Sequence, residues 1–151
     1  MDIAASGKKV LLVEDDNNLA SVYSTRLEAE GYSVRRVADG EHALTEAMAY
    51  QPDLILLDLM MPALGGFDVL DILRNTPETA STKIIVLTAR GQEADKARAQ
   101  KLGADAFLVK SQVVIADVMG MVKKLMSGDD GPKLKSKSPT ENPIEPNSTQ
   151  P

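Results

Sequence analysis

The sequence predicts an α/β fold, a doubly wound parallel sheet of five strands with helices on both faces. Short apolar runs alternate five times with amphipathic stretches, and this alternation favours parallel strands joined by right-handed crossovers. The central run, Leu54–Leu57, is continuously apolar, as is typical of a strand buried on both faces. Glycine, proline and aspartate, which favour turns, lie at the boundaries between these stretches.

Composition narrows the classes of function. The 151 residues are 43% hydrophobic and 26% charged, an ordinary composition for one soluble domain. A net charge of −5 argues against direct nucleic-acid binding, which needs a basic surface. The absence of cysteine excludes disulfides, thiolate zinc sites and cysteine nucleophiles. Since residues 1–7 hold no signal-peptide core and no apolar run approaches about 20 residues, we expect a cytoplasmic protein without membrane contact.

The first half of the chain predicts two strand–helix units ahead of the central strand. A strand over 10–13 leads to a helix from about Asn17, which either Asp16 or Asn17 can cap and which ends at Gly31. A more polar strand over 32–37 precedes a helix over 41–50. The side chains expected to face the core are Leu19, Tyr23 and Leu27 in the first helix and Ala43, Leu44, Ala47 and Met48 in the second.

The second half continues the alternation. After the central strand, Gly65 and Gly66 predict a turn with positive φ, followed by a helix over 67–75. The remaining elements are expected at 83–88 (strand), 92–102 (helix), 106–109 (strand) and 113–127 (helix). Residues 128–151 are rich in proline, serine, asparagine and charge, so we expect a disordered tail there, or else a linker to a domain outside this chain.

The last predicted helix is apolar over a wide arc. At 100° per residue its apolar side chains span roughly 160°, whereas covering one face of a sheet takes about 100°. Either the surplus packs at the rim of the core, or one edge stays exposed and binds a partner. The apolar residues are Val114, Ile115, Val118, Met119, Met121, Val122, Leu125 and Met126.

Polar side chains follow four of the five predicted strands. Glu14 and Asp15 follow the first strand, Asp58 the third, Thr88 ends the fourth, and Lys110 follows the fifth. Alone, a strand-ending aspartate such as Asp58 fits a cap for the next turn as well as a nucleophile or metal ligand. Parallel strands bring all five side chains to one sheet edge, where clustered carboxylates favour a cation such as Mg²⁺. There Lys110 and Thr88 could hold phosphoryl oxygens.

Here the chain resembles the receiver domain of two-component response regulators, from about Lys9 to Ser127. The resemblance implies a flavodoxin-like fold with strand order 2-1-3-4-5, and a stand-alone receiver domain over 8–127 between a flexible N-terminus and the tail. Four motifs carry it, in the family's order and spacing: Leu12-Val13-Glu14-Asp15-Asp16, Leu56-Leu57-Asp58-Leu59-Met60-Met61-Pro62 with Gly66, Val86-Leu87-Thr88-Ala89, and Val109-Lys110.

The resemblance implies roles for the residues at the sheet edge. Asp58 corresponds to the phosphoacceptor, and Lys110 to the lysine that pairs with the phosphoryl group. The Mg²⁺ ligands would be Glu14, Asp15, Asp58 and the backbone carbonyl of Met60. Thr88 and Phe107 correspond to the switch residues, although Phe107 lacks the hydroxyl of the tyrosine that is common in the family. Ser111 stands where the family usually has a proline, often in a cis bond, so the conformation of the Lys110–Ser111 bond is left open.

The implied function is phosphorylation-activated signalling. A histidine kinase or a histidine phosphotransfer protein would supply the phosphoryl group. The fourth helix, fifth strand and fifth helix would then bind a downstream protein or a second copy of the chain, making a homodimer. Such a protein catalyses only its own phosphorylation and dephosphorylation, so it is not expected to be a metabolic enzyme.

Two other functions are considered. A haloacid-dehalogenase-like phosphatase also uses an aspartate nucleophile, but it needs a second aspartate two residues later, where this chain has Met60. A pseudo-receiver binds partners without phosphorylation, but usually lacks an acidic residue or the lysine, all of which are present here. His42, the only histidine, is expected to be a surface residue rather than a phosphodonor.

Overall fold

A computed structural model describes residues 7–128 of the chain, so nearly all of the expected N-terminal arm and tail lies outside the described residues. A short 3-10 turn, Lys110–Gln112, follows the last strand. The strands are β1 (Lys9–Val13), β2 (Ser33–Val37), β3 (Leu54–Leu57), β4 (Lys83–Thr88) and β5 (Ala106–Val109), and the helices are α1 (Asn17–Ala29), α2 (Gly40–Tyr50), α3 (Gly66–Arg74), α4 (Glu93–Leu102) and α5 (Ile115–Met126).

The five strands form one parallel sheet in the order β2-β1-β3-β4-β5. The predicted fold class and strand order are confirmed. The chain leaves β1 toward β2 on one side and continues from β3 toward β5 on the other. A crevice therefore opens where the carboxyl ends of β1 and β3 meet, which is the usual ligand position in such sheets.

Two apolar clusters cover the two faces of the sheet. One cluster joins the strands to α2, α3 and α4, and the other joins them to α1 and α5. All four residues of β3 are buried, which confirms the prediction that this strand is covered on both faces. The core thus fixes the carboxyl end of β3 rigidly in the centre of the molecule.

Helix α1 begins and ends with the local chemistry its sequence predicts. The Asp16 side chain caps the helix by accepting a hydrogen bond of 3.0 Å from the Leu19 backbone N–H. After the helix, Gly31 adopts φ of 101°, which a residue with a Cβ rarely adopts. Tyr23 and Leu27 are buried as predicted, but Leu19 is only half-buried, and Ala20 fills the first buried position instead.

The prediction that Met48 faces the core is wrong. Ala43 and Ala47 are the buried side chains of α2 apart from Gly40 at its start, whereas Met48 is 42% exposed and Leu44 is half-buried. The two alanines lie four residues apart on one narrow strip, and their small side chains bring the helix close to the sheet. Met48 lies 100° around the helix from Ala47, outside that strip.

The last helix begins two residues later than predicted. Val114 stands at the N-cap of α5 and is 64% exposed, because residues 110–112 form the 3-10 turn instead. Val118, Met119, Val122 and Leu125 are buried. Three further apolar residues pack partly buried against the same core cluster, which favours rim packing for most of the wide arc: Ile115, Met121 and Met126.

The prediction that Gly65 and Gly66 need positive φ is wrong, and the structure gives Gly66 a different role. The residue with positive φ in this loop is Ala63, at 61°. A Cβ on Gly66 would lie 2.5 Å from the Leu59 Cα and 2.7 Å from the Asp58 carbonyl oxygen, both backbone atoms. The start of α3 therefore presses directly on the backbone that follows β3.

We expect Gly66→Ala to destabilise the fold by about 2 kcal/mol or more, because backbone atoms cannot yield as a flexible side chain can. Gly65→Ala is the matched control, since a Cβ there meets no atom within 4 Å. It should change stability by less than about 1 kcal/mol. Urea unfolding of both variants measures the difference. Equal unfolding free energies would show that the loop relaxes around Gly66.

Candidate functional site

Three carboxylates meet at the crevice between the carboxyl ends of β1 and β3. The Asp58 backbone N–H donates a hydrogen bond of 3.1 Å to the Val13 carbonyl, which extends the ladder by one residue and places Asp58 beside Glu14. One carboxylate oxygen from each of Glu14, Asp15 and Asp58 lies within 4.8 Å of the others. The structure therefore brings together all three predicted acidic side chains.

Lys110 joins this acidic cluster from two strands away. It follows β5, and its side chain spans the end of β4 to reach the carboxylates. The ammonium Nζ lies 2.8 Å from Glu14 Oε1 and 3.3 Å from Asp58 Oδ2. The Lys110–Ser111 peptide bond is trans, in keeping with the cost of a cis bond before a residue other than proline.

Backbone N–H groups orient the remaining oxygens. The Met60 N–H donates to Asp58 Oδ1 at 2.9 Å, and the Asp16 N–H donates to Glu14 Oε2 at 3.0 Å. Asp58 is 4% exposed and Glu14 2%, whereas Asp15 is exposed. The side chain of Asp58 is thus fixed in one orientation beneath a rim that solvent and ligands can reach.

The charges in this cluster do not balance. Three carboxylates face one ammonium, so the ionised cluster has a net charge of −2. Buried like charges repel strongly, and a divalent cation with oxygen ligands relieves that repulsion. Carboxylates from Glu14, Asp15 and Asp58 are the hard oxygen donors that Mg²⁺ prefers, so this donor set fits the ion.

Burial and the neighbouring charges together shift the pKa values of Asp58 and Lys110. Burial raises the pKa of Asp58 to about 6, although the Met60 N–H and the Lys110 ammonium both oppose the shift. Burial by itself would lower the pKa of Lys110. The hydrogen bond to Glu14 and the charge of Asp58 outweigh that effect, so the pKa of Lys110 is raised and its ammonium stays charged.

Without metal, the buried Asp58 carboxylate should destabilise the fold at neutral pH. The pKa of Asp58 rises from 3.8 to about 6 on folding. Its contribution to the free energy of unfolding is therefore fully present below pH 4 and is lost as the pH rises through 6. In chelator, we expect Asp58→Asn to be more stable than the unmodified protein at pH 7.5 by on the order of 1–3 kcal/mol.

The measurement is urea unfolding of both proteins in chelator at pH 4.5 and pH 7.5. The advantage of the asparagine variant should shrink at the lower pH, because protonated Asp58 resembles asparagine in charge and shape. Other titrating groups are common to both proteins and cancel in the comparison. A variant that is less stable than the unmodified protein at pH 7.5 would contradict this account of the cluster.

The two predicted switch residues do not contact the acidic cluster through hydrogen bonds. Thr88 is fully buried at the end of β4, and its hydroxyl oxygen accepts a hydrogen bond of 3.1 Å from the Arg90 backbone N–H. Phe107 lies in β5, partly buried against the core cluster beneath α2, α3 and α4. Within residues 7–128, the Thr88 hydroxyl thus bonds inside its own loop rather than to Asp58.

Two residues near the site were not predicted from the sequence. Arg90 and Asp95 form an ion pair through two hydrogen bonds, between the loop after β4 and the first turn of α4. Their separation of five residues spans a loop–helix junction and matches neither the helical nor the strand period. The sequence therefore contained no signal for this contact.

The family model of the response regulator receiver domain matches residues 10–123. The chain belongs to the response regulator receiver domain family. This family comprises signalling proteins of two-component systems rather than classical metabolic enzymes. No helix in the described part of this receiver domain is long and apolar enough to cross a membrane.

Similar proteins agree with this assignment. Over 122 residues the receiver domain is 36% identical to the DNA-binding dual master transcriptional regulator RpaA of Synechocystis sp., which covers 81% of this chain and 50% of that protein. Over 102 residues it is 46% identical to the transcriptional regulatory protein CpxR of Escherichia coli K12, and this alignment covers 68% of this chain and 42% of that protein. The chain spans about half the length of these relatives.

A solved structure has the same fold. The receiver domain of Francisella response regulator 1452 superposes with a TM-score of 0.75 at 31% identity, covering 81% of this chain and 98% of that one. Because curated relatives such as RpaA are named as DNA-binding regulators, the expectation that this chain makes no direct nucleic-acid contact is not confirmed and stays a prediction.

Proposed function

We propose that this receiver domain accepts a phosphoryl group on Asp58 from a histidine kinase or a histidine phosphotransfer protein, and that the modification changes a partner-binding face. The observation that carries the proposal is the position of the Asp58 carboxylate, buried beside two further carboxylates and an ammonium at the crevice of the sheet. A cap for the following turn would need neither the neighbouring acids nor the lysine.

Mg²⁺ is the proposed cofactor. Its ligands would be the carboxylates of Glu14, Asp15 and Asp58 together with the backbone carbonyl of Met60. When bound, the ion supplies positive charge that offsets the charge of the phosphoryl oxygens.

Asp58 is the proposed nucleophile and Lys110 its electrostatic partner. A carboxylate oxygen of Asp58 forms a bond to phosphorus while the phosphorus–nitrogen bond of the donor phosphohistidine breaks, and the electron pair returns to the imidazole. The product is a mixed anhydride, which water later cleaves to aspartate and phosphate. Lys110 already lies 3.3 Å from Asp58 and can move its ammonium to a phosphoryl oxygen with little rearrangement.

The proposed switch begins at Thr88. Its hydroxyl leaves the Arg90 N–H and turns toward the new phosphoryl group, and Phe107 repacks without the hydrogen bond that a tyrosine would make. The face formed by α4, β5 and α5 then binds a downstream protein or a second copy of the chain. This is a population shift biased by one added phosphoryl group. We place the protein in the cytoplasm.

The test uses a small phosphoryl donor and intact mass. Incubated with acetyl phosphate and Mg²⁺, the protein should gain the mass of one phosphoryl group. With the ion removed by chelator, uptake should fall to background. Uptake that proceeds equally well in chelator would contradict the proposed site, because the three carboxylates of the cluster, Asp58 among them, would then repel the incoming phosphoryl group without compensation.

A further inference from the structure

The Arg90–Asp95 ion pair connects the loop after β4 to α4. Arg90 Nε lies 3.1 Å from Asp95 Oδ2, and Arg90 Nη2 lies 3.0 Å from Asp95 Oδ1. This is the two-bond geometry in which a guanidinium is most specific for a carboxylate. The Asp95 side chain is 9% exposed and that of Arg90 52%, so the buried carboxylate depends on Arg90 for its hydrogen bonds.

Helix α4 has little else to fix its first turn. Asp95 and Ala99 are its buried residues, and most of its other side chains face solvent. Gln92 at the N-cap makes no side-chain hydrogen bond to the helix, unlike Asp16 at the start of α1. The position of this turn therefore depends on what Asp95 binds.

Arg90 forms hydrogen bonds with Thr88 as well as with Asp95. Its backbone N–H donates to the Thr88 hydroxyl oxygen at 3.1 Å, while its guanidinium holds Asp95. The next residue, Gly91, fits closely against β5, since a Cβ there would lie 2.6 Å from Val109 Cγ2. The loop is thus held on one side, and Arg90 cannot move independently of Thr88 and the first turn of α4.

A cavity of about 80 Å³ borders the ion pair. Arg90, Asp95, Leu59, Met60 and Phe67 line it, so it lies where the start of α4 faces the loop that follows Asp58 and the first turn of α3. The pair is therefore not packed tightly against that loop, and there is room for the guanidinium and the first turn of α4 to change position.

We propose that Arg90 and Asp95 are positioning residues that act as a latch: their ion pair keeps the Thr88 hydroxyl on the Arg90 N–H and α4 in its unphosphorylated position. The latch opposes the movement of Thr88 toward Asp58. The first part of this inference concerns the free protein alone, whereas the opposition to switching rests on the proposed function.

The first test is amide hydrogen exchange of the free, full-length chain, followed residue by residue by NMR. Asp95→Asn keeps the shape but weakens the ion pair, so the Arg90 amide and the first-turn amides of α4 should exchange at least ~10-fold faster. Arg90→Lys keeps the positive charge but cannot form the two parallel hydrogen bonds to Asp95, so it should also speed exchange of these amides. Exchange at the unmodified rate in both variants would overturn the latch.

Glu93→Gln is the matched control for the loss of a negative charge. Glu93 lies in the same helical turn and is exposed, and among residues 7–128 the ion pair of Arg90 is with Asp95 rather than with Glu93. Its removal should leave the Arg90 amide unchanged. If Glu93→Gln speeds exchange as much as Asp95→Asn does, the effect comes from the charge of the helix terminus, and the latch is again overturned.

The second test measures binding of beryllofluoride, which mimics the phosphoryl group, in saturating Mg²⁺. Without the latch, Asp95→Asn should bind beryllofluoride about five-fold more tightly, while Mg²⁺ alone binds with unchanged affinity. Unchanged or weaker beryllofluoride binding in a variant with faster exchange would overturn the link to switching. If the unmodified protein binds no beryllofluoride, the proposed function fails, and the exchange result still decides whether the latch exists.

Discussion

Replacing Asp58 with asparagine is expected to abolish phosphoryl uptake, lowering its initial rate by a factor of ~10³ or more. An amide is a very poor nucleophile and forms no stable anhydride with phosphorus. The side chain keeps its shape, and its carbonyl oxygen can still accept the hydrogen bond that the Met60 N–H now donates to Asp58. The loss would therefore report chemistry rather than folding.

The rate is measured by intact mass during incubation with acetyl phosphate and Mg²⁺. Asp68→Asn is the matched control, because Asp68 is an exposed carboxylate in the first turn of α3, close in sequence to Asp58 but outside the acidic cluster. It should take up the phosphoryl group at the unmodified rate. Uptake by Asp58→Asn at that same rate would refute the assignment of the nucleophile.

The second large effect is expected on stability, from Arg74 at the opposite end of the sheet. Its guanidinium lies 2.9 Å from Asp105 Oδ2 and donates to the carbonyls of Thr82 and Gly103 at 2.7 Å and 2.9 Å. Asp105 also accepts a hydrogen bond of 2.9 Å from the Ile84 N–H. These contacts fasten the end of α3 to the starts of β4 and β5.

We expect Arg74→Met to lower the unfolding free energy by about 3–5 kcal/mol, because it leaves the Asp105 carboxylate, which is only 11% exposed, without its counter-charge. Burial lowers the pKa of Arg74, and the charge of Asp105 opposes that shift. Urea unfolding at neutral pH measures the loss.

Arg26→Met is the control for this change. The Arg26–Glu30 pair is solvent-exposed and long, at 4.0 Å, so its removal should cost less than about 1 kcal/mol. Arg74 lies far from Asp58 along the strands, so the folded fraction of Arg74→Met should still take up the phosphoryl group. A loss as small as that of Arg26→Met would mean that water replaces the guanidinium.

The sequence was sufficient for the strands and for the acidic cluster. Continuous apolar runs determine buried strands, and parallel strands must end at one edge, so Asp58, Glu14 and Lys110 could be placed together without coordinates. The ends of α1 were also predictable through local chemistry, with Gly31 after the helix and either Asp16 or Asn17 as its cap; the structure shows that Asp16 is the cap.

Contacts between distant parts of the chain were not predictable. Gly66 is constrained because the start of α3 lies against the backbone after Asp58. In the sequence, however, the Gly65-Gly66 pair resembles an ordinary glycine turn. Met48 has the right period for the core, but α2 packs through its alanines. The Arg90–Asp95 pair depends on the path of one loop, and no residue pattern encodes that path.

The most direct test of the central claim is to locate the phosphoryl group chemically. Borohydride reduces an aspartyl phosphate to homoserine with release of phosphate, and the converted residue is then found by peptide mass mapping. After treatment with acetyl phosphate and Mg²⁺, homoserine is expected at position 58 alone. Conversion of Asp15 or another carboxylate, or a stable phosphoryl group on His42 instead, would contradict the account.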